Sequence, residues 1–250
     1  MKTLGIIPAR YASSRFPGKP LAKIAGKTML QRVYEQASKA QLLDSVVVAT
    51  DDERIFSHVA GFRGNVIMTK EEHPSGTDRC AEAAAVIGNF DVIINIQGDE
   101  PLIDPAQIDL VIKPFHENTA VSITTLVKTI ENKEELFSPN VVKVTFNQSK
   151  QALYFSRSVI PHVRALPQEQ WLGKQDFYKH IGLYGYRKEV LSEITQLAQS
   201  KLEKAESLEQ LRWLEHGYTI FVNFTEKESI SVDTPEDLLK IEKRLKQGGL

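Results

Sequence analysis

Apolar positions along this chain follow two alternating rhythms. Short, mostly β-branched runs at residues 4–7, 46–49, 66–68 and 92–96 each predict a buried strand. Between them, Met29, Leu30, Val33, Tyr34 and Ala37 recur at helical spacing, with Thr28 placed to cap the first turn. Further helices are predicted from Asp52 toward Gly61, over about 76–87, and where Ile108, Val111, Ile112 and Phe115 share one face. Strand and helix in strict alternation imply the α/β class: a mostly parallel, twisted sheet flanked by helices on both faces.

The rhythm changes after about residue 120. Residues 121–128, 141–146 and 152–155 predict strands without full crossover helices between them. Residues 160–176 hold two prolines, a glycine and many polar side chains, and predict a long loop. A strand is expected at 180–185, a helix at 208–216 and a last helix after Pro235. At that last start Thr234 caps, Pro235 sits in the first turn, and Glu236 and Asp237 face the positive end of the helix dipole.

Charge and composition narrow the function classes. Thirty-one Lys and Arg against 32 Asp and Glu give a net charge of -1. That balance excludes the basic footprint of a nucleic-acid-binding domain and gives no support to polybasic membrane attachment. Hydrophobic residues at 42% and charged residues at 25% describe an ordinary folded chain. No apolar stretch approaches the roughly 20 residues of a membrane span, and the N-terminal apolar run is cut by Pro8 and Arg10 before it reaches signal-peptide length. The single cysteine, Cys80, rules out an intrachain disulfide and a cysteine-based zinc site. A reducing, cytoplasmic setting is therefore expected, and Cys80, inside an Ala-rich helix, reads as packing.

Candidate chemistry concentrates after the strands. Residues 8–21 (PARYASSRFPGKPL) follow the first strand, where α/β sheets bind ligands. Arg10, Arg15 and Lys19 with Ser13, Ser14 and Gly18 can cradle a polyphosphate; a solvated basic loop is the equal alternative. Gly26-Lys27-Thr28 ends like a phosphate-loop motif, but the position of its first glycine holds Leu21, so it reads as a turn plus a helix cap. No G-x-G-x-x-G follows the first strand.

Gln97-Gly98-Asp99-Glu100-Pro101 follows the most apolar strand; Gly98 permits close backbone approach, and Asp99 can offer a hard oxygen to Mg²⁺ or simply close a turn. Asp233 is open to the same two readings, ligand or cap. Ser75-Gly76-Thr77-Asp78-Arg79 opens a helix, as cap or as base contact, and Asp51-Asp52-Glu53 reads as a cap rather than a metal cluster. Arg157, His180, Tyr184, Glu209 and Gln210 are polar residues beside apolar elements, where satisfied structural roles are commoner than ligation. Trp171 and Trp213 read as packing residues.

Taken together, eight segments resemble one family, the CMP-Kdo synthetases (3-deoxy-manno-octulosonate cytidylyltransferases): IIPARYASSRFPGKPL, ATDDERI, SGTDR, NIQGDEPLI, ALYFSR, HIGLYGYR, LEQLRWLEHG and VDTPEDL. They run in family order from Ile6 to Leu238. The resemblance implies a nucleotidyltransferase with a Rossmann-like core, catalysing CTP + Kdo → CMP-Kdo + diphosphate with Mg²⁺ for lipopolysaccharide synthesis. It further implies a cytoplasmic homodimer in one nucleotidyltransferase domain over 1–250: a nucleotide-binding core at about 1–120, a sugar-binding and dimer lobe at about 121–225, and a return to the core over 226–250.

Carried onto this chain, the resemblance places Arg10, Arg15 and Lys19 on the triphosphate and Ser75 and Arg79 near cytosine. Asp99 and Asp233 match the metal carboxylates, with Asp99 also on the nucleotide. Gln97, Arg157, His180, Tyr184, Glu209 and Gln210 match the sugar pocket. Lys19, Arg10, Asp99 and Asp233 carry the catalytic roles. Residues 225–231 (TEKESIS) depart from the commoner glycine-containing version, which leaves an 8-amino Kdo analogue open as the sugar. The competing classes are another sugar nucleotidyltransferase, acting on sialate or a sugar 1-phosphate, a metal-dependent glycosyltransferase and a non-catalytic nucleotide sensor.

Overall fold

In the computed structural model, which describes residues 1–12, 16–228 and 230–246, the first strand, β1 (Thr3–Ala9), is buried along nearly its whole length. A 3-10 turn at Lys19–Leu21 leads to a small hairpin, β2 (Lys23–Ile24) and β3 (Lys27–Thr28). Then come α1 (Met29–Ala37), β4 (Ser45–Thr50), α2 (Glu53–Gly61), β5 (Val66–Met68), α3 (Gly76–Ile87), β6 (Val92–Asn95) and α4 (Pro105–Glu117). The second half adds β7 (Ile123–Thr129), α5 (Lys133–Phe137), β8 (Lys143–Phe146), β9 (Ala152–Ser156), a 3-10 turn at Gln168–Gln170 and β10 (Tyr178–Arg187). It finishes with α6 (Lys188–Ile194), α7 (Lys201–Glu206), α8 (Gln210–Glu215), β11 (Ile220–Phe224) and α9 (Pro235–Lys246).

One sheet runs through both halves in the order β11-β7-β10-β6-β1-β4-β5, with β8 on β10 and β9 on β8. Pairing is parallel from β6 through β1 and β4 to β5, and again between β7 and β11. The long β10 runs antiparallel to both β6 and β7 and joins the two parallel parts. The expected mostly parallel sheet with helices on both faces is therefore the architecture.

The central strands are apolar on both faces because helices cover both. Leu4 and Ile6 of β1, with Ile93 of β6, enter a core that holds Cys80, Tyr186, Leu191 and Trp213. Ile7 and Ala9, with Val92 and Ile94, enter the opposite core with Leu30, Val33, Ile55, Ile108 and Phe115. Cys80 and Trp213 are thus packing residues, as expected. Trp171 is buried too, in a small cluster with Ile130, Leu136 and Phe177 that anchors the 160–176 loop.

Gly26-Lys27-Thr28 is the turn and cap that its residues predict: Gly26 sits in the hairpin turn, and Thr28 Oγ1 accepts from Gln31 N at 3.2 Å. Five short elements were not predicted: α5, α6, α7, β11 and the β2–β3 hairpin. Each is seven residues or shorter, too little for a periodic signal. Among the described residues, no helix is long and apolar enough to cross a membrane.

Candidate active site

Strands β1 and β6 are parallel neighbours, so the loops that follow them emerge at one edge of the sheet. Gly98 lets the second loop lie against the end of β1: a Cβ there would lie 3.1 Å from the carbonyl oxygen of Pro8. The 3-10 turn then aims Lys19 back at the second loop. Its ammonium donates to Asp99 Oδ2 at 2.8 Å and to the carbonyl of Val232 at 2.7 Å, and stands 3.5 Å from Asp233 Oδ1. Val232 N in turn donates to the carbonyl of Asp99 at 2.9 Å, which docks the 232–233 segment on the β6 loop.

The α9 start bears on the two readings of Asp233. Thr234 and Asp237 cap each other reciprocally, Thr234 N donating to Asp237 Oδ2 at 3.1 Å and Asp237 N to Thr234 Oγ1 at 3.3 Å. Lys240 and Thr234 hold the Asp237 carboxyl down to about 2. The reciprocal caps are therefore Thr234 and Asp237, while the Asp233 carboxylate reaches Lys19.

A cavity of about 130 Å³ opens here, lined by Pro8, Ala9, Arg10, Lys19, Pro20, Met29, Gln97, Gly98 and Asp99. Gln97 donates across to the carbonyl of Gly182 in β10 at 3.2 Å, and Arg10 donates to the carbonyl of Pro74 at 3.2 Å. Arg15 lies outside the described residues. A larger cavity of about 540 Å³, between α1 and the 226–230 segment, contains none of the predicted site residues.

Arg10 connects this cluster to a second one around the start of α3. Ser75 caps α3, accepting from Asp78 N at 3.2 Å, and its hydroxyl reaches Glu209 Oε1 at 3.2 Å. Thr77 Oγ1 donates to Glu209 Oε2 at 2.7 Å, and Arg212 stands 3.4 Å from the same carboxylate. Burial raises the Glu209 pKa; Thr77, Arg212 and Ser75 act in the other direction. Burial, then the Glu209 charge, pushes the Tyr184 and Tyr186 phenols well above their ordinary value. Gln210 is buried in the first turn of α8.

His180 and Arg157 are held internally. β10 bulges between Ile181 and Tyr184, and Thr125 of β7 fills the irregularity, donating to the carbonyl of Leu183 at 2.9 Å or of Ile181 at 3.1 Å. The same hydroxyl lies 2.9 Å from His180 Nε2, so the imidazole is tied to β7 through Thr125. Burial pushes the His180 pKa down to about 3, so the ring is neutral at physiological pH. Arg157 donates to the backbone carbonyls of Glu206 at 2.7 Å, Pro139 at 3.1 Å and Ser207 at 3.4 Å. Its guanidinium thus fastens the turn that leads to Glu209.

Arg79 departs from the expectation of a nucleotide contact. It is fully buried, paired with Asp51 at 2.6 Å and bonded to Thr69 Oγ1 at 2.5 Å. Its charge organises the interior, because a buried guanidinium without an anion is costly. The Asp51-Asp52-Glu53 run is accounted for in the same way: Asp51 balances Arg79, and Asp52 caps α2. Sequence reasoning assigned no such role to Thr77, Asp51 or Arg212, although they lie in the SGTDR, ATDDERI and LEQLRWLEHG segments, and Thr125 lies in none of the eight.

Residues 4–228 match the family model described as cytidylyltransferase. The chain belongs to the cytidylyltransferase family. The chain is 58% identical over 245 residues to a 3-deoxy-manno-octulosonate cytidylyltransferase of Parabacteroides distasonis, covering 96% of each protein. The protein of the same description from Bacteroides thetaiotaomicron is 56% identical over 250 residues, covering 98% of this chain and 99% of that one. Among solved structures, a CMP:2-keto-3-deoxy-manno-octonic acid synthetase complexed with CTP superposes with a TM-score of 0.92 at 41% identity, covering 99% of this chain and 100% of that chain. A cytidylyltransferase of Leptospira borgpetersenii, 19% identical with a TM-score of 0.64, shares the fold. In this cytidylyltransferase Arg10, Lys19, Gln97, Asp99 and Asp233 make one cluster at the sheet edge, and Ser75, Tyr184, Glu209 and Gln210 gather near the starts of α3 and α8.

Proposed function

We propose that this cytidylyltransferase activates Kdo for lipopolysaccharide synthesis by the reaction CTP + Kdo → CMP-Kdo + diphosphate. The observation that carries the reading is the meeting of Lys19, Asp99 and Asp233, from three distant parts of the chain, beside the loop that follows β1. Relatives at 58% and 56% identity that are 3-deoxy-manno-octulosonate cytidylyltransferases support the sugar.

The reaction joins two anions. The anomeric oxygen of the sugar forms a bond to the α-phosphorus, the bridge to the β-phosphate breaks, and diphosphate leaves. Arg10 and Lys19 offset the charge that grows on the departing oxygens, with Arg15 assigned there by sequence. Ser75, at the positive end of α3, lies on the cytosine side. Gln97, Tyr184, Glu209 and Gln210 form the sugar side, which residues 121–225 largely supply. His180 stays neutral there, and Arg157 holds the 206–207 turn in place.

Asp99 and Asp233 suit a divalent cation: both are hard oxygen donors, and they already converge on one cationic centre, the Lys19 ammonium. Among the described residues no cluster of three or more acidic, His or Cys side chains could make an all-protein cage. Two carboxylates completed by phosphate oxygens and water match the habit of Mg²⁺. Bound there, Mg²⁺ supplies charge neutralisation and orientation of the triphosphate. A cytoplasmic homodimer completes the proposal.

Three described residues of the 225–231 departure have partners outside the residues we assign to the sugar. Glu228 pairs with Lys128 and Lys179, and Gln107 donates to Thr225 Oγ1 and to the carbonyl of Lys227. With relatives of 58% and 56% identity described as 3-deoxy-manno-octulosonate cytidylyltransferases, Kdo is the sugar we assign over its 8-amino analogue. Mass spectrometry of products from CTP with each sugar tests this, with sialate, hexose 1-phosphates and UTP as controls. CMP-Kdo and diphosphate are expected. A product only from the amino sugar or from sialate, or none from CTP, overturns the assignment.

A further inference from the structure

The ATDDERI segment holds an arginine that the proposed reaction leaves unused. Arg54, in the first turn of α2, lays its guanidinium over the Tyr11 ring, 3.3 Å from the ring centroid. Asp52 fixes that plane from behind with a two-pronged pair, Nε to Oδ1 at 2.9 Å and Nη2 to Oδ2 at 2.6 Å. Gly18 packs against the same tyrosine: a Cβ there would lie 3.1 Å from Cζ and from the hydroxyl oxygen. Gly18 adopts φ +71°, a conformation glycine takes freely, and its N–H donates to the carbonyl of Tyr11 at 3.0 Å.

Tyr11 therefore packs against both Arg54 and Gly18, and Tyr11 and Gly18 are the two ends of the loop that carries the phosphate-binding candidates. Arg10 precedes one end and Lys19 follows the other. We propose that Arg54 and Tyr11 are positioning residues of the nucleotide loop: the stack sets where the loop begins and ends, and so where Arg10 and Lys19 point. The inference rests on the nucleotide-loop assignment above and adds two residues to it.

The geometry separates positioning from bulk stability. The Arg54 side chain is 60% exposed, and an exposed ion pair or cation–π contact adds little to the global fold. A planar guanidinium stacks on a ring where a lysine ammonium does not. Arg54→Ala, Arg54→Lys and Tyr11→Leu should each raise KM for CTP by about three- to tenfold, while the sugar KM and the melting temperature stay near the parent's. Tyr11→Phe keeps the ring face and should recover most of the loss seen in Tyr11→Leu. The Arg54→Ala/Tyr11→Leu double variant should be no worse than Tyr11→Leu alone, because that change already removes the stack with Arg54.

A second readout needs no substrate. Limited trypsin digestion of the intact ligand-free protein, followed by mass spectrometry, should show faster cleavage after Arg10 and Arg15 in Arg54→Ala and Tyr11→Leu than in the parent. Faster cleavage without any turnover of CTP and Kdo would uphold the clamp and overturn the proposed reaction. Parent-like cleavage with a parent-like KM for CTP would overturn the clamp while leaving the reaction standing. If Arg54→Lys keeps full affinity, Arg54 acts by charge alone and the stacking argument fails.

Discussion

Lys19→Met probes the centre of the site most directly, because methionine keeps the length of the side chain and removes its charge. The Lys19 side chain is 15% exposed and the Asp99 side chain 28%, so their 2.8 Å contact is partly shielded from water. A charge-assisted hydrogen bond in such a setting contributes about 1.5–3 kcal/mol. The 46% exposed Asp233, at 3.5 Å, adds about 0–1 kcal/mol. Losing about 1.5–4 kcal/mol in a protein of 250 residues lowers the melting temperature by about 3–16 °C. The variant also takes from Asp99 and Asp233 the ammonium that both contact. Millimolar Mg²⁺ should therefore raise the melting temperature of ligand-free Lys19→Met more than that of the parent, since binding to the folded state alone stabilises it. Scanning fluorimetry with EDTA and then with Mg²⁺ reads both effects, and a diphosphate-release assay should show turnover down about 10²–10³-fold. A variant that melts within a degree of the parent in EDTA, with the same Mg²⁺ shift, would refute the convergence argument.

Asp99→Asn and Asp233→Asn should each nearly abolish diphosphate release while circular dichroism stays native; full activity of Asp233→Asn at limiting Mg²⁺ would remove it from the metal pair. Arg157→Lys should raise the sugar KM and lower the melting temperature with little change in KM for CTP, because an ammonium cannot reproduce the fork onto three carbonyls; an effect on CTP alone would contradict this. The folded-state pKa of His180 lies below its ordinary value of 6.5, at about 3, so the unfolded chain binds more protons in that window and stability falls as pH drops below about 6.5, by up to about 1.4 kcal/mol per pH unit. Denaturant titrations of the parent and His180→Gln between pH 7 and 4.5 should show a shallower fall in the variant; parallel curves would mean that His180 is protonated in the folded state.

Hydrophobic runs that are apolar on both faces were legible without a structure. β1, β4 and β6 have that character because each lies between two helical layers. β11 was not legible, since it ends the strand order and alternates buried with half-buried positions instead of being covered on both faces. The same reasoning separates the site residues. Lys19 and Asp99 each sit in the loop after a central parallel strand, and the parallel rule brings such loops together. Arg79 lies in an equally promising segment, yet its role is set by Asp51, a residue that only the folded chain brings within 2.6 Å. Thr125 shows the same limit: one hydroxyl on β7 contacts His180, and nothing around residue 125 announces it.

Lys19 carries the argument from fold to chemistry one step further. Its ammonium has three N–H donors, and Asp99, Asp233 and Val232 take them. In the reaction we propose, the same ammonium also meets phosphate oxygens, and any oxygen that claims it takes a donor from that set. A carboxylate that loses its lysine beside a triphosphate needs another cation, because like charges in a partly shielded cleft repel strongly. Nucleotide binding and the demand for a divalent ion are then two sides of one exchange. The exchange also reaches the chain's end: the Val232 carbonyl and the Asp233 carboxylate lie just before α9, so a change at Lys19 is felt where that helix begins. Two acids and one lysine at a sheet edge thus link charge balance, substrate entry and the seating of α9 in a single contact.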